Sequence, residues 1–181
     1  MVKTLSILIA STNDRKPMLD NLMRFLKAQK TSEVEVLASI DNGESSIGSK
    51  RNDLLKSATG KYVAFLDDDD MISPYYVSNI LDAAKHDSDC IGIRGIIVTN
   101  DFGPRVFIHS LQYTHWFEKD EIYYRCPNHL NPIKREIALA TGFPNISNQE
   151  DKSFAFSIQG KIKTETFIET PLYYYYPSSE R

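Results

Sequence analysis

A chain of 181 residues, 41% hydrophobic and 25% charged, has the size and composition of one globular domain with a sizeable core and leaves no comfortable room for a second. Its net charge of -3 gives no electrostatic case for nucleic acid or an anionic membrane surface. The two cysteines, Cys90 and Cys126, show no metal-ligand spacing and cannot build a disulfide framework, so they suit a reducing compartment.

The first apolar run, TLSILIA at 4–10, is nearly continuous and aliphatic, as a strand covered on both faces requires. It is too short for a signal peptide or a membrane span, which sets the expectation of a cytoplasmic chain. After STND comes RKPMLDNLMRFLKAQK, where Met18, Leu19, Leu22, Met23, Phe25 and Leu26 recur at helical spacing. EVEVLASID, ending at Asp41, predicts a second strand. SIGSKRNDLLKSATG predicts a second helix with Gly60 as its C-cap. KYVAFL predicts a third strand, and SPYYVSNILDAAKHD a third helix with Ser73 as N-cap and Pro74 at its first position.

This β-α-β-α-β-α order predicts an α/β domain with a mostly parallel central sheet flanked by helices. From CIGIRGIIVTND to EIYYRC the pattern becomes strand-rich and less regular. Asn131-Pro132 then opens a short helix, IKREIALAT, which Gly142 can close. A further helix starts near Gln149, and KIKTETFIETPLYYYY ends with strand character.

Three polar clusters fall at the carboxyl ends of predicted strands: STND, DNG and the four aspartates 67–70. Ligands of open α/β sheets bind at those ends. In extended chain Asp67 and Asp69 point one way, Asp68 and Asp70 the other. Adjacent carboxylates in a cleft of reduced dielectric repel one another, and a divalent cation relieves the repulsion. Oxygen ligands favour Mg²⁺ or Mn²⁺, typically shared with substrate phosphates. The plainer reading is that Asp70 or Ser73 caps the following helix. Four acids directly after a buried strand, beside two other polar strand ends, favour a metal–diphosphate site.

LSILIASTNDR, VLASIDNG and SKRNDLLKSATGKYVAFLDDDD resemble the N-terminal half of family 2 glycosyltransferases, nucleotide-sugar-dependent enzymes with the GT-A fold. GFPNISNQEDKSFAFSIQGKIKTETFIETPLYYYY is similar to the family segment that carries an acidic pair. The resemblance is least between about 100 and 128. It implies a single Rossmann-like GT-A domain over 1–181, with a nucleotide-sugar-binding half at 1–99 and an acceptor and catalytic half at 100–181.

Residue by residue, it implies that Ser11, Thr12 and Asn13 begin the nucleotide site and that Asp41 reads the base. DNGE stands where family members often have DDGS, so the second acid is Asn42. Lys50 and Arg51 would reach the diphosphate or the base, a solvated helix face being the plainer alternative. The D-x-D motif maps onto Asp67-Asp68-Asp69, with Asp69 as metal ligand and Asp67 or Asp68 facing the ribose or sharing the metal. Mn²⁺ or Mg²⁺ is the implied cofactor, and a nucleotide-sugar, of which UDP-sugar is the leading form, the implied donor.

Glu150 and Asp151 form the second acidic pair. On the resemblance Asp151 is the general base of an inverting displacement and Glu150 its neighbour; on residue type alone they are acids at a helix N-terminus. His129 is a candidate further metal ligand, against a plain surface loop histidine; His109 and His115 are weaker. Trp116 offers a flat face to an acceptor sugar or to the core. Two other classes compete. A metal-dependent nucleotidyltransferase also gathers carboxylates, but ASTNDRK lacks a Gly-rich loop. A non-catalytic sugar-nucleotide or glycan-binding module needs no base. Nothing in the residues chooses among glycan, lipid carrier, protein and modified base as acceptor.

Overall fold

Strand β1 (Leu5–Thr12) organises the molecule, because its alternate side chains enter two separate core layers. Leu5, Ile7 and Ile9 join one apolar cluster and Leu8 the other. In the computed structural model, which describes residues 3–99 and 103–176, a 3-10 turn at Asn13–Arg15 leads into α1 (Lys16–Ala28). The leucines of α1 face inward, while Met18, Met23 and Phe25 lie on its outer side. β2 (Val34–Asp41), α2 (Ile47–Ser57) and β3 (Tyr62–Phe65) follow. Both β2 and β3 pair with β1 in parallel.

β4 (Met71–Ile72) precedes α3 (Tyr76–Ala83). This helix begins later than its sequence suggests. Ser73 accepts from Tyr75 N at 3.2 Å within a turn that precedes the helix, so Ser73 and Pro74 lie outside it. Gly60 is likewise not a helix cap. α2 ends on Ala58 in extended conformation, and a Cβ on Gly60 would lie 2.6 Å from Ser6 N of β1. Its role is close backbone approach.

The second half is strand-rich: β5 (Cys90–Thr99), β6 (Gly103–His109), β7 (Phe117–Lys119), β8 (Ile122–Arg125) and β9 (Ile133–Lys134). α4 (Arg135–Thr141), α5 (Glu150–Ile158) and β10 (Glu165–Tyr175) complete the described chain. Gly142 at φ +65° ends α4 as its position suggests, donating to Ala138 O at 2.9 Å. The strand order is β2-β1-β3-β9-β5-β6-β8-β7, with β10 on the other edge of β5 and β4 antiparallel to β10.

The sheet is therefore mixed, parallel around β1, between β5 and β10 and between β6 and β8, and antiparallel at its other pairings. Crossover helices α1, α2 and α3 join the strands up to β5. β5 and β6 are linked by a very short connection, and β7 and β8 by Asp120 and Glu121, both at positive φ. Connections that short close hairpins and enforce antiparallel pairing. α1 and α3 pack on one face of the sheet, α2, α4 and α5 on the other. Both cysteines are free thiols in the interior. Among the described residues no helix is long and apolar enough to cross a membrane.

Candidate active site

β3 continues its ladder through Leu66 N, which donates to Leu8 O at 3.0 Å, and then Asp70 N donates to Asp67 O at 3.2 Å. That second bond closes a tight turn over the four aspartates. The alternation expected of extended chain is lost, and each carboxylate acquires its own partners. Asp67 meets Arg51 Nη2 at 2.9 Å and His129 Nε2 at 3.4 Å. Burial pushes its pKa up, but His129 and then Arg51 hold it well below the ordinary carboxylate range. Asp68, only 4% exposed, accepts from the Ser11 hydroxyl and from Arg15 Nε and Nη2. Asp69 takes the same Arg15 Nη2 at 2.6 Å. Asp70 turns inward, accepting from the Tyr173 hydroxyl at 2.7 Å and Tyr176 N at 2.9 Å. Burial, reinforced by the charge of Asp67, drives its pKa up to about 8. It braces β10 and does not cap α3.

Lys50 and Arg51 are buried, so the reading of a solvated helix face fails for both. Lys50 Nζ donates to Ser11 O at 2.8 Å and Asp41 Oδ1 at 2.5 Å. Asp41 also accepts from Gly43 N and Ser45 N. Its pKa falls to about 2, chiefly through the Lys50 hydrogen bond. Asn13 Nδ2 donates to Asn42 Oδ1 at 2.7 Å, tying the first two polar clusters together. Arg51 lies between the rings of Phe65 and Phe143, 5.6 and 5.5 Å from their centroids. Its second nitrogen reaches Glu150 Oε1 at 2.8 Å.

The acidic pair arrives through a docked segment. Gly48 N donates to Ile146 O at 3.0 Å, Ser46 Oγ to Asn145 Oδ1 at 2.6 Å, and Ile47 N to Ser147 Oγ at 3.2 Å. A Cβ on Gly48 would run into the carbonyl oxygen of Pro144. Glu150 is thereby seated on Arg51. Asp151, in the first turn of α5, borders the cleft and forms no ion pair among the described residues.

A cleft of about 370 Å³ opens over these groups, lined by Ser11, Thr12, Arg15, Lys50, Arg51, Asp67, Asp68, Asp69, His129, Glu150 and Asp151. That volume is in the range of ligand sites. Asp41 stands behind Lys50 and is not part of the lining. His129 is buried rather than a surface loop residue. His109 is buried behind the cleft beside a smaller cavity, and His115 lies apart against Phe117. Tyr173 is core, whereas Tyr175 and Tyr176 line the cleft. Arg15 escaped the sequence reading: a basic residue after a strand-end cluster looks like any helix-start surface residue, and only the turn over 67–70 gives it work.

Among the described residues no group of three or more His, Cys, Asp or Glu side chains is gathered as a metal cage. A cation shared with a diphosphate needs only one or two protein carboxylates. Asp69, and Asp67 with His129 beside it, border the cleft and meet that count with donors that suit Mg²⁺ or Mn²⁺. Arg15 currently balances Asp69 and must share it for an ion to enter.

The family model described as Glycosyl transferase family 2 matches residues 40–139, more than half of the chain. EpsH of Bacillus subtilis (strain 168), a glycosyltransferase by name, is 25% identical over 142 residues, covering 71% of this chain and 41% of EpsH. Crystal structures of S. aureus TarS 1-349 are also similar. TarS 1-349 alone superposes with a TM-score of 0.72 at 17% identity, over 94% of this chain and 60% of that one. Its complex with UDP-GlcNAc gives 0.72 at 16% identity, over 96% and 58%. Likeness at that identity shows the fold alone, a GT-A-like α/β fold with a mixed central sheet. The chain thus spans less than half the length of EpsH and about three fifths of the TarS fragment.

Proposed function

The chain belongs to glycosyl transferase family 2, and from that premise we propose that it moves a sugar from a UDP-sugar to an acceptor hydroxyl, with inversion, in a metal-dependent reaction. One observation carries this reading: a single cleft at the carboxyl ends of β1 and β3 is bordered by Ser11, Thr12, Lys50, the aspartate turn and Asp151. The UDP and UDP-GlcNAc complexes of the similarly folded TarS support uridine as the nucleotide.

Ser11, Thr12, Lys50 and, through Lys50, Asp41 hold the nucleotide. Asp68 fixes the turn through Ser11 and Arg15. A Mn²⁺ or Mg²⁺ ion on Asp69, with Asp67 or His129, would neutralise charge on the departing diphosphate. Asp151 takes the proton of the acceptor hydroxyl as its oxygen attacks the anomeric carbon and the bond to the diphosphate breaks. Glu150 orients Arg51 and is not itself the base. An unpaired carboxylate in the cleft supports an enzyme over a binding module, and the glycine-free ASTNDRK supports it over a nucleotidyltransferase. On this reading residues 1–99 form the donor half and 100–181 the acceptor half. Incubation with UDP-sugars and Mn²⁺, with free UDP measured in the presence and absence of acceptor glycans, tests the proposal. Failure of UDP itself to bind would overturn it.

A further inference from the structure

Behind the cleft, a cavity of about 70 Å³ is bordered by Arg125, His109, Asn128, His129, Asp151 and Tyr175, along with apolar side chains and Asp67. It shares Asp67, His129, Asp151 and Tyr175 with the donor cleft, so the two spaces adjoin at the proposed base. A volume of that size has room for a few water molecules or a small polar group.

Arg125 is the one arginine or lysine bordering this cavity among the described residues. Arg125, at the end of β8, lies with its guanidinium carbon 4.6 Å from the centroid of Trp116 and, among the described residues, has no carboxylate at ion-pair distance. Burial depresses its pKa, with Asp151 near enough to act only as a distant counter-charge. The Trp116 indole nitrogen, both ring nitrogens of His109 and Nδ1 of His129 are buried and lack hydrogen-bond partners. Lys152 Nζ is 5.9 Å from the centroid of the same indole, a second positive charge near Trp116. Of the two bordering carboxylates, Asp67 is already matched by Arg51 and His129. A half-buried guanidinium without a carboxylate is costly to hold, and its planar fork suits a carboxylate or a phosphate.

We propose that Arg125, backed by Trp116 with Lys152 near the same indole, is an anion subsite for the acceptor, so that the molecule presenting its hydroxyl to Asp151 carries a phosphate or carboxylate group. This rests on the reading of Asp151 as the base.

Trp116 is the one tryptophan of the sequence, which makes its fluorescence a reporter of this subsite. The protein is titrated, with and without saturating UDP, at constant ionic strength with glucose 6-phosphate, glucuronate and methyl glucoside. A saturable change is expected with at least one anion and not with the neutral glycoside, and the stronger anion identifies the group as phosphate or carboxylate. Arg125→Gln should weaken that response about 10- to 100-fold, and Arg125→Lys, which keeps the charge but not the fork, by less. UDP affinity, measured by calorimetry, should be unchanged in both. Absence of a saturable anion response in the wild-type protein overturns the proposal. So does an equal response to methyl glucoside, or a response that survives intact in Arg125→Gln. If Arg125→Gln does not fold, an undiminished response in Arg125→Lys together with Lys152→Gln overturns it. If UDP fails to bind while the anion response stands, the donor reading falls and the subsite does not.

Discussion

Arg15 Nη2 bridges Asp68 and Asp69, lying 2.6 Å from a carboxylate oxygen of each. On the proposed reading, the guanidinium competes with a divalent cation for Asp69. A cation entering alone must displace it, whereas a cation arriving with a diphosphate brings further ligands and offers Arg15 new acceptors. Calorimetry should accordingly show Mn²⁺ binding weakly alone and tightly with UDP. Arg15→Gln should strengthen binding of Mn²⁺ alone, and Asp69→Ala should abolish the coupling between Mn²⁺ and UDP. Equal UDP affinity in Mn²⁺ and in EDTA would remove the metal from the mechanism.

Asp41 bears on pH. Its folded pKa is about 2, below an ordinary value of 3.8, with Lys50 as the leading cause. A depressed carboxylate contributes stability that is present above its unfolded pKa and is lost as pH falls through the folded one. The unfolding midpoint of Asp41→Asn in urea should lie below that of the wild type at pH 5 and converge with it towards about pH 2. Parallel curves over that window would show that Asp41 is not held by Lys50 in solution. UDP binding should also weaken in this variant, because Lys50 loses the partner that aims it.

Arg51 is 5% exposed and joins Asp67 to Glu150, itself 7% exposed, between two phenylalanine rings. Removing one member of a buried pair strands the other charge, at a cost of about 3–5 kcal/mol. Arg51→Met should therefore destabilise the fold by that order in chemical denaturation, and adding Glu150→Leu should restore part of the loss. A change under about 0.5 kcal/mol, the level of an ordinary surface substitution, would mean that the pair is solvated.

The first three strands and their helices were legible because each carries a strong local signal: a β-branched run, a 3.6-residue apolar period, a polar strand end. Lys50 and Arg51 could be named from the family resemblance, but their burial could not, since it depends on Asp41, Asp67 and Glu150 converging from three distant segments. The mixed sheet was hidden for a similar reason. The period-2 pattern of β5 through β8 is the same for parallel and antiparallel partners, and only connection length decides. Arg15 and Arg125 gave no sequence signal at all, because an arginine's meaning lies in which carboxylates it does or does not meet.

Gly48 tests how the second acidic pair is delivered. Its α-carbon faces the Pro144 carbonyl too closely to admit a methyl group, and Ile146 O accepts from its amide. Gly48→Ala should force the 144–148 segment outward, costing about 1–3 kcal/mol of stability and lowering transfer while UDP still binds. Transfer at the wild-type rate would mean that the segment adapts without moving Asp151.

Asp151→Asn separates catalysis from binding. The asparagine keeps the shape but cannot accept the acceptor's proton at neutral pH, and losing a general base lowers rate by about 10²–10⁴-fold. Asp151 makes no ion pair among the described residues and no side chain caps the start of α5, so stability should change little. UDP and Mn²⁺ should bind as in the wild type, since neither the Asp41–Lys50 pair nor the aspartate turn leans on it. The expected variant is thus folded, donor-competent and nearly inert in transfer. Glu150→Gln should behave differently: it loosens Arg51, so its defect should appear in stability as well as rate. Wild-type transfer by Asp151→Asn, with Glu150→Gln inactive yet fully stable, would move the base to Glu150; wild-type transfer by both would end the single-displacement mechanism.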